Sequence, residues 1–215
     1  SAINDINLKT TGEVTVTISG RAVSLENLSA NNNSNYSITV TDAASVSEGK
    51  SIVDATSQST VNFHSISDGI HQMRSGSVIH NNFKAIIDKD PNVPVNVSGL
   101  GSSSVINLAY YGNPSSNQAL ADALDDINAN TTGEVTATLS GPADILSTLS
   151  ANNSSNYTIT VTNVASVTQA KSIVDATSQS TVKFMKENPI TDEFSKFANG
   201  SQVTSDYQTV SNKAR

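Results

Sequence analysis

The sequence KSIVDATSQSTV at residues 50–61 occurs a second time, unchanged, at residues 171–182. It lies inside a longer duplication, because residues 4–63 align with residues 125–184 without an insertion or deletion. Of the 60 aligned pairs, 42 are identical. Internal repetition on this scale is typical of folds that stack similar units, so the duplication is the main guide to the architecture.

A shorter period is present inside each copy. Runs of β-branched residues alternating with Thr begin 24 and 23 residues apart, at Val14, Ile38 and Val61 and again at Val135, Ile159 and Val182. Alternation with a period of two predicts short strands with one buried face.

Helical signals lie between these strands. Residues 22–28 and 143–149 carry apolar side chains at helical spacing, and Ser45 and Ser166 are each followed three residues later by Glu48 or Gln169, the capping-box pattern. Strands that are joined through helices become parallel neighbours with right-handed crossovers. The sequence therefore predicts an α/β fold, a right-handed solenoid of strand–helix repeats of about 23–24 residues with one parallel sheet.

This solenoid is predicted to have four parts. They are a first repeat block at residues 1–63, degenerate coils at 64–121, a second repeat block at 122–184, and a C-terminal cap or arm at 185–215. The first residues align with the middle of a repeat helix, as expected of a piece of a longer array. After Phe184 the tail shows no sequence repeat, and a short helix is expected at 192–197.

The middle part has its own pattern. It predicts a helix at residues 77–88 stopped by Asp90-Pro91, strands at 93–97 and 105–109, turns at Asp68-Gly69 and Asn113-Pro114, and an amphipathic helix at 119–129.

Composition excludes several functions. The chain has no Cys, so it has neither disulfides nor a thiolate nucleophile. The net charge is −7, with 12 basic and 19 acidic residues and no basic cluster, which disfavours nucleic-acid binding. Membrane insertion is not expected, because no stretch approaches about 20 apolar residues. A surface rich in Ser, Thr and Asn with only 14% charged residues is typical of secreted or surface-displayed proteins.

The stretches SITVTDAASV at residues 37–46 and TITVTNVASV at 158–167, each preceded by TTGEVT, resemble repeats of large secreted and cell-surface proteins of cyanobacteria and other Gram-negative bacteria. The resemblance implies extracellular display, often through type I secretion, and roles in adhesion, biofilm or surface-layer structure. Such proteins can carry calcium-binding nonapeptide repeats, but the GGxGxD run of those repeats is not found here. Bacteriophage virion proteins can also be built from similar repeats.

One candidate interaction face follows from the strand pattern. If apolar residues face the core, Thr side chains face outward and stack into hydroxyl ladders, formed by Thr15, Thr17, Thr39, Thr41, Thr136, Thr138, Thr160 and Thr162. These threonines are either plain solvent-facing strand residues or a surface for a partner, a glycan or, least in keeping with the interrupted pattern, ice.

Only one cluster has side chains suited to metal binding or acid–base work, namely His64, Asp68, His71 and His80. Its spacing matches no known metal motif, so neither a metal site nor a catalytic site is predicted.

Two duplicated positions invite a structural explanation. Asp54 and Asp175 are expected at helix C-termini or turns, bonded to their own backbone, with weak Ca²⁺ bridging between coils as the alternative. Gly20 and Gly141 are expected to relieve backbone strain where a strand turns into a helix.

Together these features predict a non-catalytic structural or adhesive repeat module of an extracellular or cell-surface assembly, without a cofactor. Its expected partner is itself, head-to-tail or laterally, or else a surface receptor or glycan. The alternatives are a bacteriophage virion structural protein and a glycan-binding module.

Overall fold

The computed structural model describes residues 2–29, 34–57, 61–75, 78–99, 103–108, 114–150, 155–178 and 182–214. The chain is a mixed α/β protein. It divides into two compact units, one formed by Ser1–Asn96 with Asn130–Glu134 and the other by Val97–Ala129 with Val135–Arg215. In both units parallel strands are joined by helices, as predicted.

The first unit contains one copy of the duplication followed by a short helix–hairpin–helix segment. Its elements are α1 (Ala2–Lys9), β1 (Val14–Gly20), α2 (Ala22–Leu25), β2 (Ser34–Ala44), α3 (Val46–Asp54), β3 (Val61–Gly69), α4 (Ile70–Met73), β4 (Arg74–Ser75), β5 (Val78–Ile79), α5 (Asn81–Lys89) and the start of β6 (Val95–Ser98). Strand β2 pairs in parallel with β1 and β3, and β6 lies next to β3. Strands β4 and β5 form a separate antiparallel hairpin.

The second unit contains the other copy. Its elements are β7 (Val105–Asn107), α6 (Pro114–Asn130, apart from its last residue), β8 (Val135–Gly141), α7 (Ala143–Leu146), β9 (Ser155–Val161), α8 (Val167–Asp175), β10 (Val182–Phe184), α9 (Phe194–Phe197), β11 (Ala198–Asn199), β12 (Gln202–Val203) and α10 (Ser205–Lys213). Strands β7, β8, β9 and β10 pair in parallel in that order. Strands β11 and β12 form an antiparallel hairpin.

Alternation along the strands builds the core. In β2 the side chains of Tyr36, Ile38 and Val40 are buried while those between them are exposed, and β9 repeats the pattern. Burial of such apolar side chains is the main stabilising contribution, about 1.5–3 kcal/mol for each large one.

Both predicted capping boxes are confirmed. Ser45 Oγ accepts the N–H of Glu48 at 3.2 Å, and the Glu48 carboxylate accepts the N–H of Ser45 at 2.8 Å. Ser166 and Gln169 do the same at 3.1 and 3.0 Å. Each pair satisfies two backbone donors that a helix N-terminus would otherwise leave without partners.

A buried polar contact explains part of the unchanged sequence after each of these helices. Thr56 Oγ1 accepts the N–H of Tyr36 at 2.8 Å and donates to the carbonyl of the same residue at 2.9 Å. Thr177 makes the same two bonds to Tyr157, at 2.8 and 3.0 Å. One hydroxyl thus satisfies a donor and an acceptor of a buried strand.

A side chain from one coil, meaning a strand and the helix that follows it, binds the helix of the coil before it. We call this contact the clamp. It joins Asp42 to the N–H of Ala22 (2.7 Å), Asp68 to Val46 (3.0 Å), Asn163 to Ala143 (2.6 Å) and Asp192 to Val167 (3.1 Å). In each case the acceptor meets the first residue of the helix, where backbone donors lack intrahelical partners.

The clamp reveals that the duplication continues into the tail. The elements α9, β11, β12 and α10 follow β10 in the order in which α4, β4, β5 and α5 follow β3, at a constant offset of 124 residues. Residues 192–214 keep only four identities with residues 68–90 across 23 positions. The prediction that the tail shares nothing with the earlier copy is wrong, because caps and hydrophobic spacing persist after the identities are lost.

The middle segment differs from prediction at one helix. The helix predicted over residues 77–88 begins at Asn81, and Val78-Ile79 belongs to the β4–β5 hairpin. His80 is the N-cap, and its Nδ1 accepts the N–H of Asn82 at 3.3 Å. The predicted pattern missed this boundary because Val78 and Ile79 fit a strand as well as a helix.

Other predictions in this segment fared as follows. Helix α5 ends before Asp90-Pro91 as predicted, and α6 includes the predicted helix at 119–129. The strands predicted at 93–97 and 105–109 appear as β6 and β7, whereas the turn predicted at Asp68-Gly69 is the end of β3. The short helix predicted at 192–197 begins at Phe194. Asn113 lies outside the described residues, and Pro114 opens α6.

Glycines distinguish the two copies. A Cβ on Gly133 would lie 2.0 Å from the carbonyl oxygen of Val93, and one on Gly141 would lie 2.7 Å from the Cβ of Leu108. Their counterparts Gly12 and Gly20 meet only ordinary contacts at 3.5 Å or more. Gly20 and Gly141 do precede helices, but neither has a positive φ, so the expectation that they relieve backbone strain is wrong.

We expect Gly133→Ala to lower the free energy of unfolding by more than roughly 2 kcal/mol, because the new methyl group overlaps a backbone carbonyl. The matched change Gly12→Ala should stay within about 0.5 kcal/mol of the parent. Chemical denaturation followed by circular dichroism measures both. Equal effects in the two variants would contradict the close approach of Val93 to Gly133.

A second prediction concerns pH. Burial raises the pKa of Asp125 above its usual 3.8, although Ser150 N–H and Oγ donate to its carboxylate. The ionised form is therefore penalised in the folded state. The penalty is absent below pH 3.8 and complete above the raised pKa.

Asn4 occupies the equivalent position and accepts the N–H of Ser29 at 3.0 Å. Asp125→Asn should therefore stabilise the protein at pH 7 and weaken the pH dependence of its melting temperature above pH 4. The reciprocal Asn4→Asp should destabilise at pH 7. A lower melting temperature for Asp125→Asn at pH 7, with no difference at pH 3, would refute this.

Candidate interaction face

The outward-facing threonines lie on the side of the strands opposite the buried residues. Thr15, Thr17, Thr39, Thr41 and Thr138 are exposed, and Thr136, Thr160 and Thr162 are half-buried. We define the polar face of each unit as the outward-facing Thr, Ser and Asn side chains of its parallel strands.

Strand register decides which side chains are neighbours on the polar face. In the first unit Thr17 lies beside Ser37, and Thr39 lies between Ser19 and Asn62. Thr15 pairs with Asn35, because adjacent strands pair 20 residues apart whereas the repeated Thr run recurs after 24. The predicted ladder of stacked threonines is therefore replaced by rows that mix Thr, Ser and Asn.

The second unit has similar rows. Thr138 lies beside Thr158, and Thr160 lies between Ser140 and Lys183. Neighbouring positions across strands are about 4.8 Å apart, and successive outward positions along a strand are about 7 Å apart. This spacing offers a regular grid of hydroxyl and amide groups, each able to donate and accept hydrogen bonds.

The grid suits neutral polar ligands. Ionised groups occur on it only at its margins, such as Glu13, whose carboxylate accepts from the side chain of Asn35, and Lys183. A face of this kind can bind the hydroxyls of a glycan or another polar protein surface through many weak hydrogen bonds. Each such bond contributes about 0.5–1.5 kcal/mol.

The four residues considered for metal binding are placed apart in role. Asp68 forms a clamp with Val46, His80 caps α5, and His64 and His71 are exposed. Across the described ranges, no group of three or more His, Asp or Glu side chains is arranged to hold a metal ion. The structure thus assigns two of the four side chains to holding helix N-termini.

Asp54 and Asp175 are the last residues of α3 and α8, which confirms the predicted helix C-terminal position. Their partners differ from the prediction. Each carboxylate pairs with a lysine four residues earlier, Lys50 or Lys171, where a bond to its own backbone was expected. The hydrogen bond from Asp175 raises the pKa of Lys171.

Two residues at the first clamp of each copy were not singled out from the sequence. Asp42 binds the backbone of Ala22 and the guanidinium of Arg21 at 2.9 Å, and these contacts, in that order, lower its pKa. Asn163 takes the same place in the second copy. The only sequence signal is a polar residue two positions after each ITVT run, with a partner 20 residues away.

None of the helices in the described residues is long and apolar enough to cross a membrane. Comparisons with models of protein families, with curated proteins and with solved structures gave no match.

Proposed function

We propose that this chain is a non-catalytic structural or adhesive repeat module of an extracellular or cell-surface assembly. The polar face is the observation that carries the proposal. It is regular, almost uncharged and exposed, which favours contact with an extended polar partner over chemistry at one point. A catalytic site would need ionisable groups with perturbed pKa values converging in a cleft.

The fold part of this proposal is a right-handed solenoid in which each strand–helix coil stacks on the one before. Three features support it: parallel pairing of successive strands at a 20-residue offset, the four clamps, and the recurrence of the whole block in the tail. Right-handed crossovers are the general rule for parallel strands joined by helices. A solenoid would present the polar face as a continuous surface.

Extracellular or cell-surface placement rests on composition. Only 14% of residues are charged, and Cys is missing from a chain rich in Ser, Thr and Asn. A second candidate function is glycan binding, because mixed rows of hydroxyl and amide groups match the alternating donors and acceptors of a sugar. In that case the module would act by attaching its assembly to a carbohydrate surface.

Thr39→Val and Thr160→Val, combined in one variant, test the polar face. Both changes keep the shape of a β-branched strand residue and remove one hydroxyl from each unit. We expect binding to a responsive sugar on a glycan array to weaken about 10-fold, equivalent to about 1.4 kcal/mol. Stability should change by less than about 0.5 kcal/mol.

Thr168→Val, an exposed threonine on α8, is the matched control and should bind like the parent. Unchanged binding by the double variant would contradict a role for the polar face in glycan recognition. An array without hits, together with unchanged adhesion of protein-coated beads to cells by the double variant, would refute adhesion through this face.

A further inference from the structure

The two copies of the duplicated block differ at the outer edge of their first strand. On α6, Leu124 and Ile127 are completely buried, whereas their counterparts Ile3 and Ile6 on α1 are half-buried and 56% exposed. Val135 and Leu139 on β8 are buried, and their counterparts on β1 are only half-buried. The N-terminal edge is defined here as Ile3, Ile6, Val14, Val16 and Ile18.

The second unit shows what such an edge accepts. Strand β7 pairs in parallel with β8, placing Ile106 beside Leu139, and the N–H of Leu108 donates to the carbonyl of Ser140 at 2.7 Å. Leu108 also lies against Gly141. On β1, where the strand order of the described residues begins, Gly20 faces only its own Leu25 at 3.6 Å.

The end of the second block shows the converse difference. Beyond β3, Phe63 donates its N–H to Asp90 at 2.9 Å and Ile66 donates to the carbonyl of Pro94 at 2.8 Å. Ile66 and Met73 are completely buried and Ile70 is 3% exposed.

Their counterparts in the second block are uncovered. Phe194, the counterpart of Ile70, is 75% exposed, and Val203, the counterpart of Ile79, is 56% exposed. Phe184, Ile190 and Phe197 are half-buried. The C-terminal surface is defined here as Phe184, Ile190, Phe194, Phe197 and Val203.

We infer that the N-terminal edge of one chain binds the C-terminal surface of a second copy. Each surface is apolar, and the counterpart of each inside the chain is covered by a further strand. Four of the seven large apolar side chains that the described residues expose lie on α1, α9 and β12, namely Ile6, Leu8, Phe194 and Val203. A second copy is the occupant that brings both missing halves together.

This contact uses different patches on its two sides. Such a heterologous interface leaves one free edge and one free surface after every addition, so assembly continues to a filament unless a ring closes. The exposed backbone donors and acceptors of β1 add parallel pairing to the apolar contact. The inference rests on the proposed structural function and names its partner.

Two charge insertions on opposite sides of the interface provide the test. Ile6→Lys blocks the N-terminal edge and Phe194→Lys blocks the C-terminal surface, and both positions are exposed enough to leave the fold intact. Sedimentation of the parent chain should show mass increasing with concentration above 22.4 kDa. Each variant alone should remain monomeric.

An equimolar mixture of the two variants should form a dimer of about twice 22.4 kDa and nothing larger, because each supplies the surface that the other lacks. Val78→Lys, at a residue 66% exposed outside both surfaces, is the matched control and should assemble like the parent. Val203→Lys is a second block of the C-terminal surface. Circular dichroism verifies the fold of every variant.

A parent chain that stays monomeric at all concentrations, a mixture without a dimer, or a folded single variant that still assembles would overturn the inference. Those outcomes leave the test with Thr39→Val and Thr160→Val unaffected, because that test measures binding by the polar face. Conversely, loss of glycan binding or adhesion does not alter the sedimentation of the parent chain.

Discussion

The structure depends on the hydrogen bond by which each coil holds the helix of the coil before it. A helix four to nine residues long has an N-terminus whose backbone donors need acceptors, and burial makes the lack of one costly. Asp42, Asp68 and Asp192 supply a carboxylate there and Asn163 an amide. Because the acceptor comes from the following strand, no coil completes its own helix. Stacking is therefore required by the polar groups as well as by the apolar core.

This constraint explains which parts of the fold the sequence could predict. Strand alternation and the capping boxes at Ser45 and Ser166 involve residues at most four positions apart, so they can be found in one pass along the chain. The clamps and the contact of Thr56 with Tyr36 join residues 20 or more apart and have no local signal. The second helix–hairpin–helix segment was missed for the same reason, since only four identities mark it.

The candidate face was only partly predictable. Alternation correctly placed Thr39 outside and Ile38 inside, because a pleated strand fixes that choice. The neighbours of Thr39 depend on register, which is set by the geometry of the connection between strands and not by the repeat length. A 24-residue sequence period with a 20-residue pairing offset turns equal residues into diagonal neighbours. The result is a chemically mixed surface, better suited to hydrogen-bonding varied polar groups than a uniform hydroxyl ladder.

Duplication also has a consequence for association. When a block is repeated in one chain, a surface that a further strand covers in one copy has a counterpart in the other copy. At Gly141 the close approach of Leu108 leaves no space for a side chain, whereas Gly20 has open space on the same side. An edge built to receive a strand is then exposed with its apolar residues in place. Proteins that avoid edge pairing place charges on such strands. Strand β1 carries none between Val14 and Gly20, so the structure retains an edge that accepts a neighbour.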